Sequence, residues 1–351
     1  MRIWALIKRI YQQMLRDKRT LALLFFAPLL ILSLMYFLFN GKDVEPKLGV
    51  ANVDKELVKV LKDSKINTKH YEKVSDNTVV NDNLDGLLQI DDGKLKLTLK
   101  NSDPSSAKAL QMKVNQAVAA QAQSKLIDKN MVSLDLMKKN IDIHYVYGSS
   151  DTDFFDVLSP ILVGFFVFFF VFLISGIGLL KERTTGTLER LMSTPIRRGE
   201  IVFSYLVGYG IFAVIQTIIV ILYSINVLDV VLVGSIWNVI LVNLLLALVA
   251  LSLGTLLSAF AASEFQMIQF IPIAVIPQVF FSGIFPLEGM ADWLQAIGKI
   301  LPMYYAADAL MGVMYKGFSL SEIGSDILAL IIFAVIFITL NVFALKKYRT
   351  L

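Results

Sequence analysis

Catalysis needs nucleophiles, metal ligands or paired acids brought together, and this sequence of 351 residues offers few of them. It has no cysteine, which removes disulfides, thiolate nucleophiles and zinc–thiolate sites together. The two histidines, His70 and His144, are far apart and have no paired acidic motif, so both read as solvated or packed side chains rather than metal ligands. Asp91, Asp92 and Gly93 lack the spacing of a calcium loop and read as a hairpin turn. No segment has the G-x-x-x-x-G-K-[ST] pattern, so nothing in this sequence cradles ATP phosphates. The informative stretch is 180–205, LKERTTGTLERLMSTPIRRGEIVFSY. Gly186 permits a tight turn, Thr187 is a capping residue, and Glu189 falls in a first helical turn, where the helix dipole favours an acid. Leu188, Leu191 and Met192 share a face at spacings of three and four, and Pro195 stops the helix from running far. The expected product is a helix of one to two turns, apolar on one side, surrounded by Arg183, Arg190, Arg197 and Arg198. Such a knob suits docking into a groove on a partner. A positively charged topology anchor would account for the arginines but not for the capped, amphipathic turn among them.

The elements that hold this loop follow from hydropathy. An apolar content of 56% and a mean hydropathy of +0.65 are too high for a soluble chain to hide, whereas a bilayer is a solvent for them. Six uncharged apolar runs, at 21–39, 157–180, 201–228, 230–263, 265–287 and 327–345, each meet the requirement of about 20 residues for crossing a bilayer. The run at 230–263 exceeds one span and is expected to include turns at both ends. The fold class is therefore a membrane all-α protein with six transmembrane helices. Basic residues set the orientation: Arg2, Lys8, Arg9, Arg16, Lys18 and Arg19 precede the first run, the arginines above lie in the 181–200 loop, and Lys346, Lys347 and Arg349 follow the last. The positive-inside rule places both termini, the 346–351 tail and the 181–200 loop in the cytoplasm. The net charge of +4 follows this topology and is no nucleic-acid signal. Residues 1–20 form an amphipathic interfacial helix, with Ile3, Trp4, Leu6, Ile7, Ile10 and Met14 on one half and Arg2, Lys8, Arg9 and Arg16 on the other. The first span reads as a retained anchor, because FLFNGKDVEP offers no small-x-small cleavage site.

Residues 40–156 change character, with 17 Lys, no Arg and 18 acidic residues. Strands are expected at the KLGVANVD segment, at 86–90, at 94–100 and at 141–147, with helices at 55–63 and from Asp103-Pro104 toward Asn130. This makes an inserted mixed α/β domain outside the membrane. Residues 288–326, with Trp293, Tyr304 and Tyr305, read as an extracytoplasmic re-entrant or interfacial segment.

The string KERTTGTLERLMSTPIRRGEI resembles the E-R-E-x-G-T-L-E-x-L-x-x-T-P-x-x-R-x-E-I signature of ABC-2-type permeases. Glu182, Arg183, Gly186, Thr187, Leu188, Glu189, Leu191, Thr194, Pro195, Arg198, Glu200 and Ile201 match, while Thr184 stands where the family often has an acid. The FFDVLSPILVGFFVFFF segment and the IPQVFFSGIFPLEGM segment also resemble that family. The resemblance implies an exporter permease of the bacterial cytoplasmic membrane, moving an amphiphilic drug, antibiotic or lipid-like compound. It implies a partner ATPase dimer that binds the ATP and Mg2+, with no cofactor in this chain, and a second permease copy or paralogue. It makes the 181–200 loop the coupling helix, with Glu182, Arg183, Gly186, Thr187, Leu188, Glu189, Leu191, Pro195 and Arg198 as coupling residues. It also puts Phe165, Phe169, Phe172, Gln266, Gln269, Phe270 and Gln278 along a substrate path. The alternative is a non-transporting scaffold or secretion-apparatus component with the same topology. The span cores carry no Asp, Glu, Lys, Arg or His, so no coupling proton has a group to bind, and a transporter of this kind borrows its motor.

Overall fold

The structure is a computed structural model that describes residues 2–39, 46–71, 74, 78–82, 84–91, 94–100, 110–121, 154–285 and 291–345. In chain order the elements are α1 (Arg2–Arg16), α2 (Lys18–Phe39), β1 (Lys47–Ala51), α3 (Lys55–Asp63), β2 (Asn67–His70), α4 (Thr78–Asn81), β3 (Gly86–Asp91), β4 (Lys94–Leu99) and α5 (110–121). They continue with α6 (Phe154–Thr184), α7 (Thr187–Met192), α8 (Arg198–Asn226), α9 (Ile236–Ser258), α10 (Glu264–Phe280), α11 (Asp292–Gly298), α12 (Pro302–Met314) and α13 (Gly324–Ala344). The chain divides into two compact units, 1–41 with 145–351, and 42–144.

In the helical unit, five helices are long and apolar enough to cross a membrane among the described residues: α2, α6, α8, α9 and α13. Helix α6 is the centre, packed on α9, α8, α2 and α12. Its 31 residues span about 46 Å at 1.5 Å per residue, more than the roughly 30 Å of a hydrocarbon core, so an end of the helix projects beyond the apolar layer. The 230–263 run resolves into the 23 residues of α9 with turns on both sides. The run at 265–287 does not form one helix of that length. Helix α10 has 17 residues, about 25 Å, contains Pro272 and Pro277, and ends in a turn at 281–285 where Gly283 takes a φ of 90°. Residues 291–323 carry two short helices, α11 and α12, joined by turns.

In lipid, helices associate through close packing rather than through the hydrophobic effect, so small residues mark the contacts. Helices α6 and α9 cross where a Cβ on Gly254 would lie 2.5 Å from the Phe172 carbonyl and would also collide with Ser175. Helix α1 buries Leu6, Ile7, Ile10 and Met14 and leaves Trp4, Lys8 and Leu15 outward. It lies against α8, where Ile10 fills the space over Gly208 and Tyr11 stacks on Phe212 at 5.4 Å. Asp17 interrupts the chain between α1 and α2 and caps the latter, its carboxylate accepting the Thr20 amide at 3.1 Å.

The second unit has a four-stranded sheet in the order β2-β1-β3-β4. Strand β1 is parallel to both neighbours, and β3 and β4 form an antiparallel hairpin with Asp91 opposite Lys94. Leu48, Val50, Leu57, Leu61, Ile66, Leu88, Leu110, Val114 and Ala117 make its core, joining the sheet to α3 and α5. Strand β2, NTKH, falls outside the expected strands because its mostly exposed, polar edge position carries no apolar alternation. His70 ends it, exposed to solvent. His144, Asp92, Gly93, the Asp103-Pro104 cap and the expected strand at 141–147 lie outside the described residues.

A Cβ on Gly208 would sit 2.8 Å from the Ile10 side chain. Gly208→Ala is therefore expected to lower the melting temperature of the detergent-solubilised chain, at a cost of about 1–3 kcal/mol for overpacking. Adding Ile10→Ala should restore part of the loss. Equal melting temperatures for wild type and Gly208→Ala would show that α1 does not rest on α8.

Candidate functional site: the 181–200 loop and its braces

The loop leaves α6 through a left-handed Gly186, φ 69°, and its Cβ position faces open space, so glycine is required here for the backbone and not for packing. Helix α7 follows as the short turn expected, and Glu200 then closes the start of α8 by accepting the Arg197 amide at 2.7 Å. Glu189, Arg190, Ser193, Thr194, Pro195 and Arg197 are exposed, and Thr187, Leu191 and Arg198 are partly so.

Three of the residues assigned to coupling make contacts within this chain: Leu188 and Glu182 are buried and Arg183 is partly so. Leu188 is 1% exposed and belongs to the main helical core, with Met192 and Ile196 packed against it. The apolar side of α7 is thus satisfied by this chain, and its polar side is the one left exposed. Glu182 is 2% exposed and accepts from Arg9 of α1 at 2.8 Å; Arg9 also donates to the Tyr205 hydroxyl of α8 at 3.1 Å. Arg183 donates to the carbonyls of Ser258 and, at 2.9 Å, Ala261, just past the end of α9. There a guanidinium meets both the orphan carbonyls and the negative end of the helix dipole. Arg2 adds a further tie, donating to the Pro195 carbonyl at 2.6 Å, and Lys181 lies 3.7 Å from Asp17. Arg2, Arg9 and Tyr205 were not among the sequence candidates for this site. The two arginines were visible only as one basic helix face and Tyr205 only as a tyrosine at the end of the 180–205 stretch, with nothing in sequence to pair Arg2 and Arg9 with residues more than 170 positions away.

The residues assigned to a substrate path do not converge as a set. Phe165 and Phe169 stack at 6.0 Å and are partly exposed on α6, whereas Phe172 is buried against Phe168 at 6.1 Å. Gln266 lies in the first turn of α10, which Ser263 caps: the Ser263 hydroxyl accepts from the Gln266 amide at 3.2 Å, while the Gln266 side-chain oxygen accepts from the Ala262 amide at 2.7 Å. Gln278 is buried, its side-chain oxygen accepting the Met303 amide at 3.0 Å at the start of α12. Gln269 is exposed and Phe270 partly so. Phe270, Ile273, Pro277 and Gln278 line a cavity of about 390 Å3 between α10, α9 and α12.

A family model described as "ABC-2 family transporter protein" matches residues 18–343. The chain belongs to that family. Among its relatives is the "ABC transporter G family member 20" of Dictyostelium discoideum, 30% identical over 205 residues that cover 58% of this chain and 28% of that protein. The "Probable multidrug ABC transporter permease YbhS" of Escherichia coli K12 is 27% identical over 177 residues, 50% of this chain and 47% of that one. The "Inner membrane transport permease YhhJ" of the same strain is 25% identical over 176 residues, 50% of this chain and 47% of that one. The chain spans about half the length of the Escherichia relatives and less of the Dictyostelium protein. Family membership and the five apolar helices make it a multi-pass membrane transport protein of the ABC-2 class.

Glu182 is the most demanding group in this arrangement. Glu182→Ala is expected to destabilise the chain by about 3 kcal/mol, since it strands the Arg9 guanidinium at a part-buried position. The double variant Arg9→Met/Glu182→Met should recover most of that loss in thermal unfolding. Additive losses would show that the two side chains do not act as a pair. Asp17 gives a pH test. The Thr20 amide, helped by Lys181, holds its carboxyl below the usual carboxylate range, so its contribution is complete above the unfolded pKa of about 4 and fades as pH falls through the lowered value. Wild type should therefore lose its melting-temperature advantage over Asp17→Ala on acidification below about pH 4.

Proposed function

We propose that this chain is the permease subunit of an ATP-driven exporter, coupled through the 181–200 loop to a separate ATPase. The observation that carries this reading is the exposed polar ridge Glu189, Arg190, Ser193, Thr194, Pro195 and Arg197, mounted on a loop tied to α1, α6 and α9. A surface anchor has no use for such bracing, whereas a lever needs it. The lack of a phosphate-binding loop in this sequence and of ionisable groups in its apolar cores is in keeping with ATP bound by a partner as the energy source.

The proposed topology has six crossings, with both termini and the loop in the cytoplasm of a bacterial plasma membrane and the 42–144 unit outside. Helix α10, short as it is, supplies the sixth. With five crossings, Lys346, Lys347 and Arg349 would lie opposite the basic 181–200 loop, against the positive-inside rule; with six they share its side. A helix of about 25 Å crosses where the bilayer thins or the 281–285 turn completes the path. The cargo we propose is an amphiphile of drug, antibiotic or lipid type, in keeping with the multidrug name of the YbhS relative and with Phe165, Phe169 and Phe270 partly exposed on α6 and α10. A second permease, identical or paralogous, completes the assembly.

Glu189→Arg and Arg190→Glu change only exposed side chains. Each is expected to leave the stability within about 0.5 kcal/mol of wild type and to abolish cargo-stimulated ATP hydrolysis by the co-purified ATPase. Wild-type stimulation in both would refute coupling through this ridge. Single cysteines introduced into the cysteine-free chain should label from outside at position 70 and be protected at 186.

A further inference from the structure

A cavity among the described residues of the helical unit lies apart from the exposed ridge proposed for coupling. It has a volume of about 540 Å3 and opens where α1 meets α2, walled by α6, α8 and the first residue of α10. A pocket of this size accommodates a ligand of drug or headgroup dimensions. It is amphipathic along its length. Arg16, Asp17, Lys181 and Glu264 stand at one end, and Leu23, Leu173, Ile174 and Ile177 continue it along α2 and α6. From Lys181 back to Leu173 is eight residues of helix, about 12 Å toward the apolar part of the span. The occupant therefore has a charged head at the level where the spans begin and an apolar tail running alongside them.

The charges define the head. Lys181 and Asp17 neutralise one another at 3.7 Å, and the Asp17 carboxylate also holds the Thr20 amide. Arg16 and Glu264 line the same cavity and have no ion-pair or hydrogen-bond partner among the described side chains. One unmatched cation and one unmatched anion ask for a ligand carrying both opposite charges. A purely anionic head would gain Arg16 but meet repulsion from Glu264, and a purely cationic head would do the reverse.

We propose that this cavity binds a zwitterionic phospholipid of the surrounding leaflet, its phosphate at Arg16, its ammonium at Glu264 and an acyl chain along Leu23 and Leu173. A bidentate guanidinium suits a phosphate, and the carboxylate suits the ammonium of a zwitterionic head, which a phosphatidylglycerol head lacks. The inference needs the multi-pass placement in a bilayer and nothing about transport, partner or side of the membrane.

Native mass spectrometry of the full chain, released from detergent after incubation with equal amounts of dioleoyl phosphatidylethanolamine and dioleoyl phosphatidylglycerol, tests it. Wild type should retain phosphatidylethanolamine in several-fold excess. Glu264→Gln should bring the ratio to near one, and Arg16→Gln should reduce retention of both lipids several-fold. Equal or greater retention of phosphatidylglycerol by wild type would overturn the proposal without recourse to any variant. An unchanged ratio in Glu264→Gln, or unchanged retention in Arg16→Gln, would overturn it as well.

Discussion

A carboxylate that is 2% exposed beside a membrane helix is tolerable only if a cation and hydrogen bonds meet it, because the cost of burying the bare charge is several kcal/mol. Glu182 is met by Arg9, which also holds the Tyr205 hydroxyl, so one acid at the end of α6 fixes the position of both α1 and α8. The other ties between α1 and the loop are weaker by this measure. The Arg2 bond to the Pro195 carbonyl is exposed, and Lys181 and Asp17 stand at 3.7 Å with both side chains a third or more exposed. Exposed pairs of that kind contribute between nothing and about 1 kcal/mol. They guide α1 onto the loop, whereas Glu182 makes any other arrangement expensive.

Above this polar layer the bundle is held by contact rather than by charge. Helix α9 approaches α6 at Gly254, and Gly176 of α6 lies beside the Gly254 carbonyl, so two backbones touch without intervening side chains. A few hydrogen bonds cross between spans: Asn341 of α13 donates to the Ser252 carbonyl of α9 at 2.7 Å, and Ser33 of α2 meets Tyr223 of α8 at 2.6 Å. Such bonds average about 0.6 kcal/mol in a membrane, less than their rarity suggests, because the unfolded helix also finds partners there. They set register while close packing supplies the stability. Helices α2 and α13, by contrast, keep most of their apolar surface outward, which only a lipid or another polypeptide chain can cover.

The legible parts of this molecule were those written in local patterns. Long uncharged runs mark the spans, the glycine, threonine and glutamate at 186–189 mark a short capped helix, and the alternation over 94–99 marks a strand. What sequence could not reveal is direction. An acid and an arginine in a charged loop look like docking groups until Arg9 and the end of α9 are brought beside them from other parts of the chain. Leu188 looks like the exposed apolar contact of a knob because nothing local tells an outward face from an inward one. Gln266 looks like a polar group in a span, although Ser263 three residues before it, in an S-x-x-Q sequence, caps the helix by accepting the Gln266 amide. That last assignment was available from the sequence and was masked by the length of the apolar run. The edge strand β2 offers the opposite case, since its four polar residues pair with β1 by backbone alone.

The inward placement of Glu182 and Arg183 alters how a force on the loop would travel in the proposed exporter. If both reached outward, a partner pushing on α7 would act on a flexible connection and the motion could be absorbed in the turn at Gly186. As it stands, the residues immediately before that turn are clamped, one to α1 and α8 and the next to the end of α9. Beyond the turn, Leu188 anchors α7 in the core and Arg2 holds the Pro195 carbonyl. The exposed ridge is therefore a rigid extension of α6 and α8, and α1 moves with it. Because α6 packs along α9 and α12 through glycines that leave no slack, tilting its projecting end must shift those contacts together. A partner that grips only a few exposed polar side chains can in this way act on the whole bundle.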